Sequence, residues 1–193
     1  MKRTIVYLLL TTILLTACAP STPIINEQTN PDPLSEDVTA SIEITSSAFA
    51  YGEPIPPKHA CTGDPDSSLK DVSPELSWGE PPAGTLSFAL IMDDPDAPVG
   101  TWDHWILFNI PASTRGLPES MPVNTEFPGG NNSWGRTGYG GPCPPGGTHR
   151  YFFKLYALDE MLAISPGATK GELEKAMVGH ILAQGELMGT FAR

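Results

Sequence analysis

Ser87-Phe88-Ala89-Leu90-Ile91-Met92-Asp93 runs without a break into Asp94-Pro95-Asp96-Ala97-Pro98. The first seven residues read as a β-strand buried on both sides. Phe88, Leu90 and Met92 fall on one face and Ala89 and Ile91 on the other, so neither face is polar. The acids that follow need water or partners, which the end of a buried strand can offer. Working outward, His104 to Ile110 reads as a second such strand. Arg150 to Leu158 reads as a third, with Tyr151, Phe153 and Leu155 alternating with Phe152, Lys154 and Tyr156. Ile42 and Ile44 alternate with Ser41 and Glu43 ahead of a Pro/Gly-rich stretch from Gly52 to Pro57. Between the second and third strands lies a long Pro/Gly loop system, Pro111 to Thr148, of a length that usually marks function or partial structure.

One helix is expected. Thr169 and Glu172 form a capping box, in which each side chain satisfies a backbone donor at the helix start. Leu173, Ala176, Met177, His180 and Ile181 then share one face at the 3.6-residue period, and Gln184-Gly185 ends the helix. Leu187 to Phe191 reads as a last short strand. The chain of 193 residues carries 21 prolines and 19 glycines, which argues against an all-helical fold. Its 40% hydrophobic content argues against disorder, and its net charge of −11 against a nucleic-acid partner. The fold class is mainly β with a C-terminal helix.

The N-terminus reads as an export signal. Lys2 and Arg3 precede an apolar or hydroxylic run, Thr4 to Thr16, that ends in Leu15-Thr16-Ala17-Cys18. That ending resembles a bacterial lipobox, so residues 1–17 are expected to be a lipoprotein signal peptide and Cys18 the lipidated mature N-terminus. Cleavage would leave nine basic residues against 22 acidic ones, a formal charge of −13. Such a chain needs its lipid, not electrostatics, to stay at an anionic bilayer of the cell or outer membrane. Residues 18–40 carry the lipidated cysteine and a disordered tether rich in Pro, Ser, Thr, Asn, Asp and Glu. The domain is residues 41–193. Two cysteines remain in it, Cys61 and Cys143, and their spacing leaves both a disulfide and two free thiols open.

Two segments carry the chemistry. One is Asp93 to Pro98 with Thr101-Trp102-Asp103-His104-Trp105; the other runs from Tyr139 through Gly140-Gly141-Pro142-Cys143-Pro144-Pro145-Gly146-Gly147-Thr148 to His149-Arg150-Tyr151. In each, a histidine opens a buried strand after a loop stiffened by proline. A carboxylate taking one imidazole N–H fixes the tautomer and leaves the other ring nitrogen for a ligand. His104 and His149 are therefore candidates to donate hydrogen bonds to an anionic oxygen, and Gly140, Gly141, Gly146 and Gly147 would let backbone amides approach it. Arg150 alternates away from Tyr151 and reads as an ion-pair partner. A metal site joining His59 and Cys61 to His104 or His149 finds no supporting ligand spacing, so neither metal nor cofactor is expected.

Taken together, D-P-D-A-P at 94–98, W-x-H-W at 102–105 and G-T-H-R-Y at 147–151 resemble the signatures of the phosphatidylethanolamine-binding protein family, specifically its bacterial Raf-kinase-inhibitor-like branch. The likeness extends to Ile55-Pro56-Pro57-Lys58-His59, Val72 to Trp78, Pro82-Ala83-Gly84-Thr85 and Ala176 to His180, and covers roughly residues 42–193. It implies a central antiparallel sheet, a second smaller sheet and a shallow cleft for phosphate, acetate or a phosphoryl headgroup. By motif position the cleft takes Asp94, His104 and His149, lined by Gly141, Pro142 and Tyr151, with Asp96 capping the turn. Trp105 belongs to the core. Residues 116–132 match no motif of the family.

The function this supports is an exported, lipid-anchored binding protein for a small anionic group, without turnover. G-x-S-x-G is absent and no serine stands in a nucleophile context. Two alternatives stand beside it. One is an inhibitor of a protease or kinase acting through surface contact, with Met121 to Trp134 as the contacting segment. The other is a weak hydrolase using His149 or His104 as base with Asp94 orienting it. The resemblance also implies a homodimer.

Overall fold

The structure, a computed structural model, describes residues 40–61, 71–122 and 127–193. The expected signal peptide, Cys18 and all of the tether but residue 40 lie outside these residues, as does part of the 121–134 segment.

Among the described residues, eight strands form two sheets, and one α-helix precedes the last strand. They are β1 (Ala40–Ser41), β2 (Ile44–Thr45), β3 (Leu76–Trp78), β4 (Ser87–Asp94), β5 (Trp102–Pro111), β6 (Gly116–Leu117), β7 (Thr148–Leu158), α1 (Lys170–Met177) and β8 (Ile181–Ala192). The larger sheet has the order β1-β8-β7-β4-β5, and the smaller β2-β3-β6. All pairings are antiparallel except β1 with β8, which is a parallel pair at the sheet edge. The fold is mainly β, as expected. Strand β4 lies between β5 and β7, and all eight of its residues are buried.

Its alternation builds two cores. Phe88, Leu90 and Met92 pack with Phe153 and Leu155 of β7 against Ile44, Leu76, Trp78 and Leu117 of the smaller sheet. Ala89 and Ile91 pack on the other side with Ile106, Phe108, Tyr156 and Leu158, under Leu173 and Met177 of α1. In β5 the parity changes: Trp105, Leu107 and Ile110 face the first core, and Ile106 and Phe108 the second. Asn109 makes that change with a φ of 53°, and its side chain bonds both ways to the Leu162 backbone, at 3.0 and 2.7 Å.

The capping box at Thr169 forms, with the Thr169 N–H donating to Glu172 Oε2 at 2.8 Å. The helix is shorter than its apolar period suggests. It stops at Met177 because Gly179 turns the chain at a φ of 83°, a left-handed conformation that suits glycine. His180 is thus not on a helix face; it sits in the following turn, between Asp159 at 2.9 Å and Glu160 at 3.5 Å. The last strand is correspondingly longer than Leu187 to Phe191 and pairs with β7 along its length. Gln184-Gly185 lies inside this strand. Any Cβ at Gly185 would collide with the Ile42 carbonyl, where the β1–β2 segment crosses it.

Cys61 and Cys143 form a disulfide, with Cα atoms 5.4 Å apart. It ties the turn Pro57–His59 and the residues after it to the Pro142–Pro145 loop.

Candidate functional site

Asp94, His104 and His149 come from three neighbouring strands. Asp94 ends β4, His104 lies near the start of β5, and His149 near the start of β7, so antiparallel pairing brings all three to one end of the sheet. Asp94 and His149 are joined, Oδ2 to Nδ1, at 2.8 Å. Both side chains are sheltered, at 4% and 9% exposure. The other Asp94 oxygen, Oδ1, accepts the Asp96 N–H at 2.9 Å. His104 donates its Nδ1–H to the Gly140 carbonyl at 2.7 Å, and burial holds its pKa below the usual histidine value.

These three residues line a cavity of about 210 Å³. The rest of its wall is apolar: Ala97, Pro98, Val99 and Trp102 on one side, Trp134, Cys143, Pro144 and Pro145 on the other. Val99 is 77% exposed and Trp134 43%, so the rim is apolar where it meets water. The Trp134 ring stands edge-on to His104 at 5.0 Å and to Trp102 at 5.4 Å. Two larger depressions lie elsewhere, one over the β1–β8 edge and one beside α1; neither contains a histidine.

A family model described as phosphatidylethanolamine-binding protein matches residues 45–192. The chain belongs to the phosphatidylethanolamine-binding protein family. Among its relatives is a UPF0098 protein of Aquifex aeolicus, 48% identical over 160 residues, covering 80% of this chain and 90% of the relative. Another, from Methanothermobacter thermautotrophicus, is 44% identical over 79% of this chain and 99% of its own length. Among solved structures, a phosphatidylethanolamine-binding protein homologue of Chlamydia trachomatis superposes with a TM-score of 0.72 at 41% identity, covering 80% of this chain and 99% of that one. YbcL of E. coli gives 0.71 at 30% identity over the same shares.

The geometry sorts the residues that the family likeness puts at the site. Asp94, His104 and His149 meet at the cavity. Gly141 and Pro142 do not line it; the wall begins at Cys143. Three of the four expected glycine amides are already bonded. Gly140 donates to the His104 carbonyl at 2.9 Å, Gly141 to Asp71 Oδ1 at 2.9 Å, and Gly147 to the Arg193 carbonyl at 3.1 Å. Tyr151 does not line the cavity either; it is fully buried, edge-on to His104 at 5.2 Å. Its hydroxyl lies beside the Asp94 carboxylate and the Cys143 backbone, and burial raises its pKa well above the usual phenol value. Turn capping falls to Asp94 rather than Asp96. Asp96 instead accepts from the Arg150 N–H at 3.0 Å and guanidinium at 2.9 and 2.7 Å, and Arg150 holds its pKa down at about 2. Trp105 lies in the core, edge-on to Tyr139.

Trp134 and Val99 are the wall residues that the motifs do not mark. Trp134 is placed by Asn132, whose buried side chain accepts the Trp134 N–H at 3.1 Å and donates to the Gly138 carbonyl at 3.2 Å. An Asn so placed is a turn device, and Asn131-Asn132-Ser133-Trp134-Gly135 carries that signal in sequence. His59 takes no part in the cavity. Its Nδ1 donates to the Val72 carbonyl at 2.8 Å, and its own carbonyl accepts from Tyr139 at 2.9 Å. Among the described residues, no group of three or more His, Cys, Asp or Glu is placed to hold a metal ion.

Proposed function

We propose that this family member, which we place in the bacterial Raf-kinase-inhibitor-like branch, is a binding protein whose cleft holds a small anionic group: a phosphate, a phosphoryl headgroup or a carboxylate. The observation that carries this reading is the pairing of Asp94 with His149 beside His104 at the floor of a 210 Å³ cavity. Each Nδ1 is committed to a protein acceptor, so each imidazole turns only Nε2 to a ligand. The cavity suits one small group and not a large substrate. No turnover is proposed. Among the described residues, the wall carries no serine, threonine or lysine, and its one sulfur, in Cys143, is bonded to Cys61.

Calorimetric titration of the full chain in a non-ionic detergent, with phosphate, acetate and phosphoethanolamine, tests this. Saturable binding is expected from at least one of them, with affinity reduced at least about tenfold in His149→Ala and in Asp94→Ala, the loss expected of a charge-assisted contact. No heat from any of the three anions would overturn the pocket reading and put inhibition by surface contact first.

We further propose export, with lipid attached at Cys18 and the domain held at a membrane. The lipobox-like ending at Cys18 supports this, and so does the disulfide, since such bonds persist mainly in oxidising compartments. Metabolic labelling of cells with a radioactive fatty acid is expected to mark the protein and to leave Cys18→Ser unmarked. Labelling of both forms, or of neither, would overturn the anchor.

A further inference from the structure

The end of the larger sheet opposite the cleft also exposes large apolar side chains. Leu86, Met161 and Val178 are 55%, 53% and 58% exposed. Backbone bonding draws the three segments that carry them together. The Leu86 N–H donates to the Leu158 carbonyl at 2.8 Å, at the end of β7, just before Met161. The neighbouring Ser87 hydroxyl donates to the Glu160 carbonyl at 2.5 Å. The Asp159 N–H donates to the His180 carbonyl at 3.1 Å, which ties the turn of Val178 to the same place. The charges around them are engaged with one another. His180 stands between Asp159 and Glu160, and Arg115 is paired with Glu80. Anionic headgroups therefore find little to attract them, and what this end offers is apolar contact.

The path of the chain says what lies opposite. Ala40 pairs with Ala183, which pairs in turn with Ala157, whereas His149 at the cleft pairs with Phe191. The chain thus enters the domain eight strand residues from His149, about 26 Å at roughly 3.3 Å per residue. The entry point lies close to Ile181, which opens β8 directly after the turn of Val178 and His180. Cys18 precedes Ala40 by 22 residues. A lipid on Cys18 therefore draws this end of the sheet toward the bilayer. Laying the cleft on that bilayer would need the chain to run back the whole length of the sheet; laying the entry end on it would not.

We propose that the sheet end carrying Leu86, Met161 and Val178 is a docking surface for the bilayer that holds the lipid anchor, so that the cleft is turned to water. The proposal rests on lipid attachment at Cys18, argued above. Three apolar side chains make a weak contact alone, but the anchor turns docking into an intramolecular step at high effective concentration.

The test uses the full lipidated chain, reconstituted into phosphatidylcholine vesicles with and without bromine on the acyl chains. With Cys61 bonded to Cys143 and Cys18 acylated, Val178→Cys supplies a free thiol for an environment-sensitive fluorophore, and Val99→Cys at the cleft rim supplies the control. Apolar groups seated about 5 to 10 Å into the headgroup and acyl boundary should let bromine quench the Val178 probe at least about twofold and leave the Val99 probe unquenched. Adding Leu86→Glu and Met161→Glu should remove that quenching, while the chain still floats with the vesicles through its lipid. Equal quenching of both probes, quenching that survives the two glutamates, or none at Val178 in a chain that floats, would overturn the docking surface and leave the anchor standing. A chain that does not float with the vesicles would overturn both. Val178 emission that shifts blue as the protein-to-lipid ratio rises, without quenching by bromine, would assign the patch to a second copy of the chain and overturn the lipid surface.

Discussion

Replacing both Cys61 and Cys143 by serine is expected to lower the free energy of unfolding by about 3 to 4 kcal/mol. The two cysteines are 82 residues apart in sequence. In the chain-entropy description, closing so long a loop removes about 4.5 kcal/mol of freedom from the unfolded chain. Residual structure in that chain brings the figure down. The folded state does not depend on the sulfurs to hold the same wall. The Cys61 N–H donates to the Pro142 carbonyl at 3.0 Å, Tyr139 to the His59 carbonyl at 2.9 Å, and the Gly141 N–H to Asp71 at 2.9 Å. The loss should therefore appear as a drop in Tm of about 6 to 16 °C, at roughly 2 to 4 °C per kcal/mol for a domain of this size. Phosphate affinity measured well below Tm should change by less than about twofold, because no lining side chain other than Cys143 is altered. A Tm shift under about 2 °C would show that the cross-link does not restrain the unfolded chain in this way. Loss of affinity with the fold intact would show that the cleft wall depends on the sulfur bridge itself.

How much of this was legible in the sequence depends on how local its cause is. The two faces of β4 could be read because strand alternation is fixed by the backbone, and Phe88, Leu90 and Met92 do part from Ala89 and Ile91 into separate cores. The convergence of Asp94, His104 and His149 could be placed by family likeness. The pairing of Asp94 with His149 depends on strands 55 residues apart meeting at one sheet end. Turn capping passes to Asp94, which also stays at the cleft, because Arg150, 54 residues away, draws Asp96 out of its own turn. The glycine amides read as able to approach an anion, and the carbonyls of His104 and Arg193 and the carboxylate of Asp71 take three of the four. The 3.6-residue period overstates the helix, because apolar residues continue past Met177 by coincidence. The decisive signal was Gly179, one glycine with a left-handed φ. Gly185 pointed the other way: it read as a helix stop, and its actual cause is the Ile42 carbonyl crossing a strand. Trp134 reached the site through a turn organised by Asn132, a cause that no helical or strand period records.

Phe88→Ala is expected to destabilise the protein by about 3 to 5 kcal/mol, a large part of the 5 to 15 kcal/mol that holds a typical domain together. Phe88 is fully buried on the central strand, and its ring meets Trp78 of the smaller sheet edge-on at 5.5 Å. Truncation removes the apolar transfer energy, leaves a cavity between two sheets whose backbones are fixed by their own pairing, and loses an aromatic pair contributing about 0.5 to 1.5 kcal/mol. Neighbouring side chains can fill little of that space, because Leu90, Met92 and Phe153 are already fully buried in the same cluster. Phe152 provides the contrast. It is only part-buried on β7, outside both apolar clusters, with Arg150 and Lys154 over its ring at 5.6 and 5.9 Å. Phe152→Ala should cost about 1 kcal/mol, the value of partial burial and exposed cation–π contacts. Urea unfolding of both variants decides the matter, provided the m-value stays unchanged so that the midpoint reports stability alone. A Phe88→Ala cost below about 1.5 kcal/mol, or one equal to that of Phe152→Ala, would mean that the two sheets are not joined through this ring. A midpoint that falls by the expected amount would identify the strand that delivers Asp94 to the cleft as the element that also holds the two sheets together.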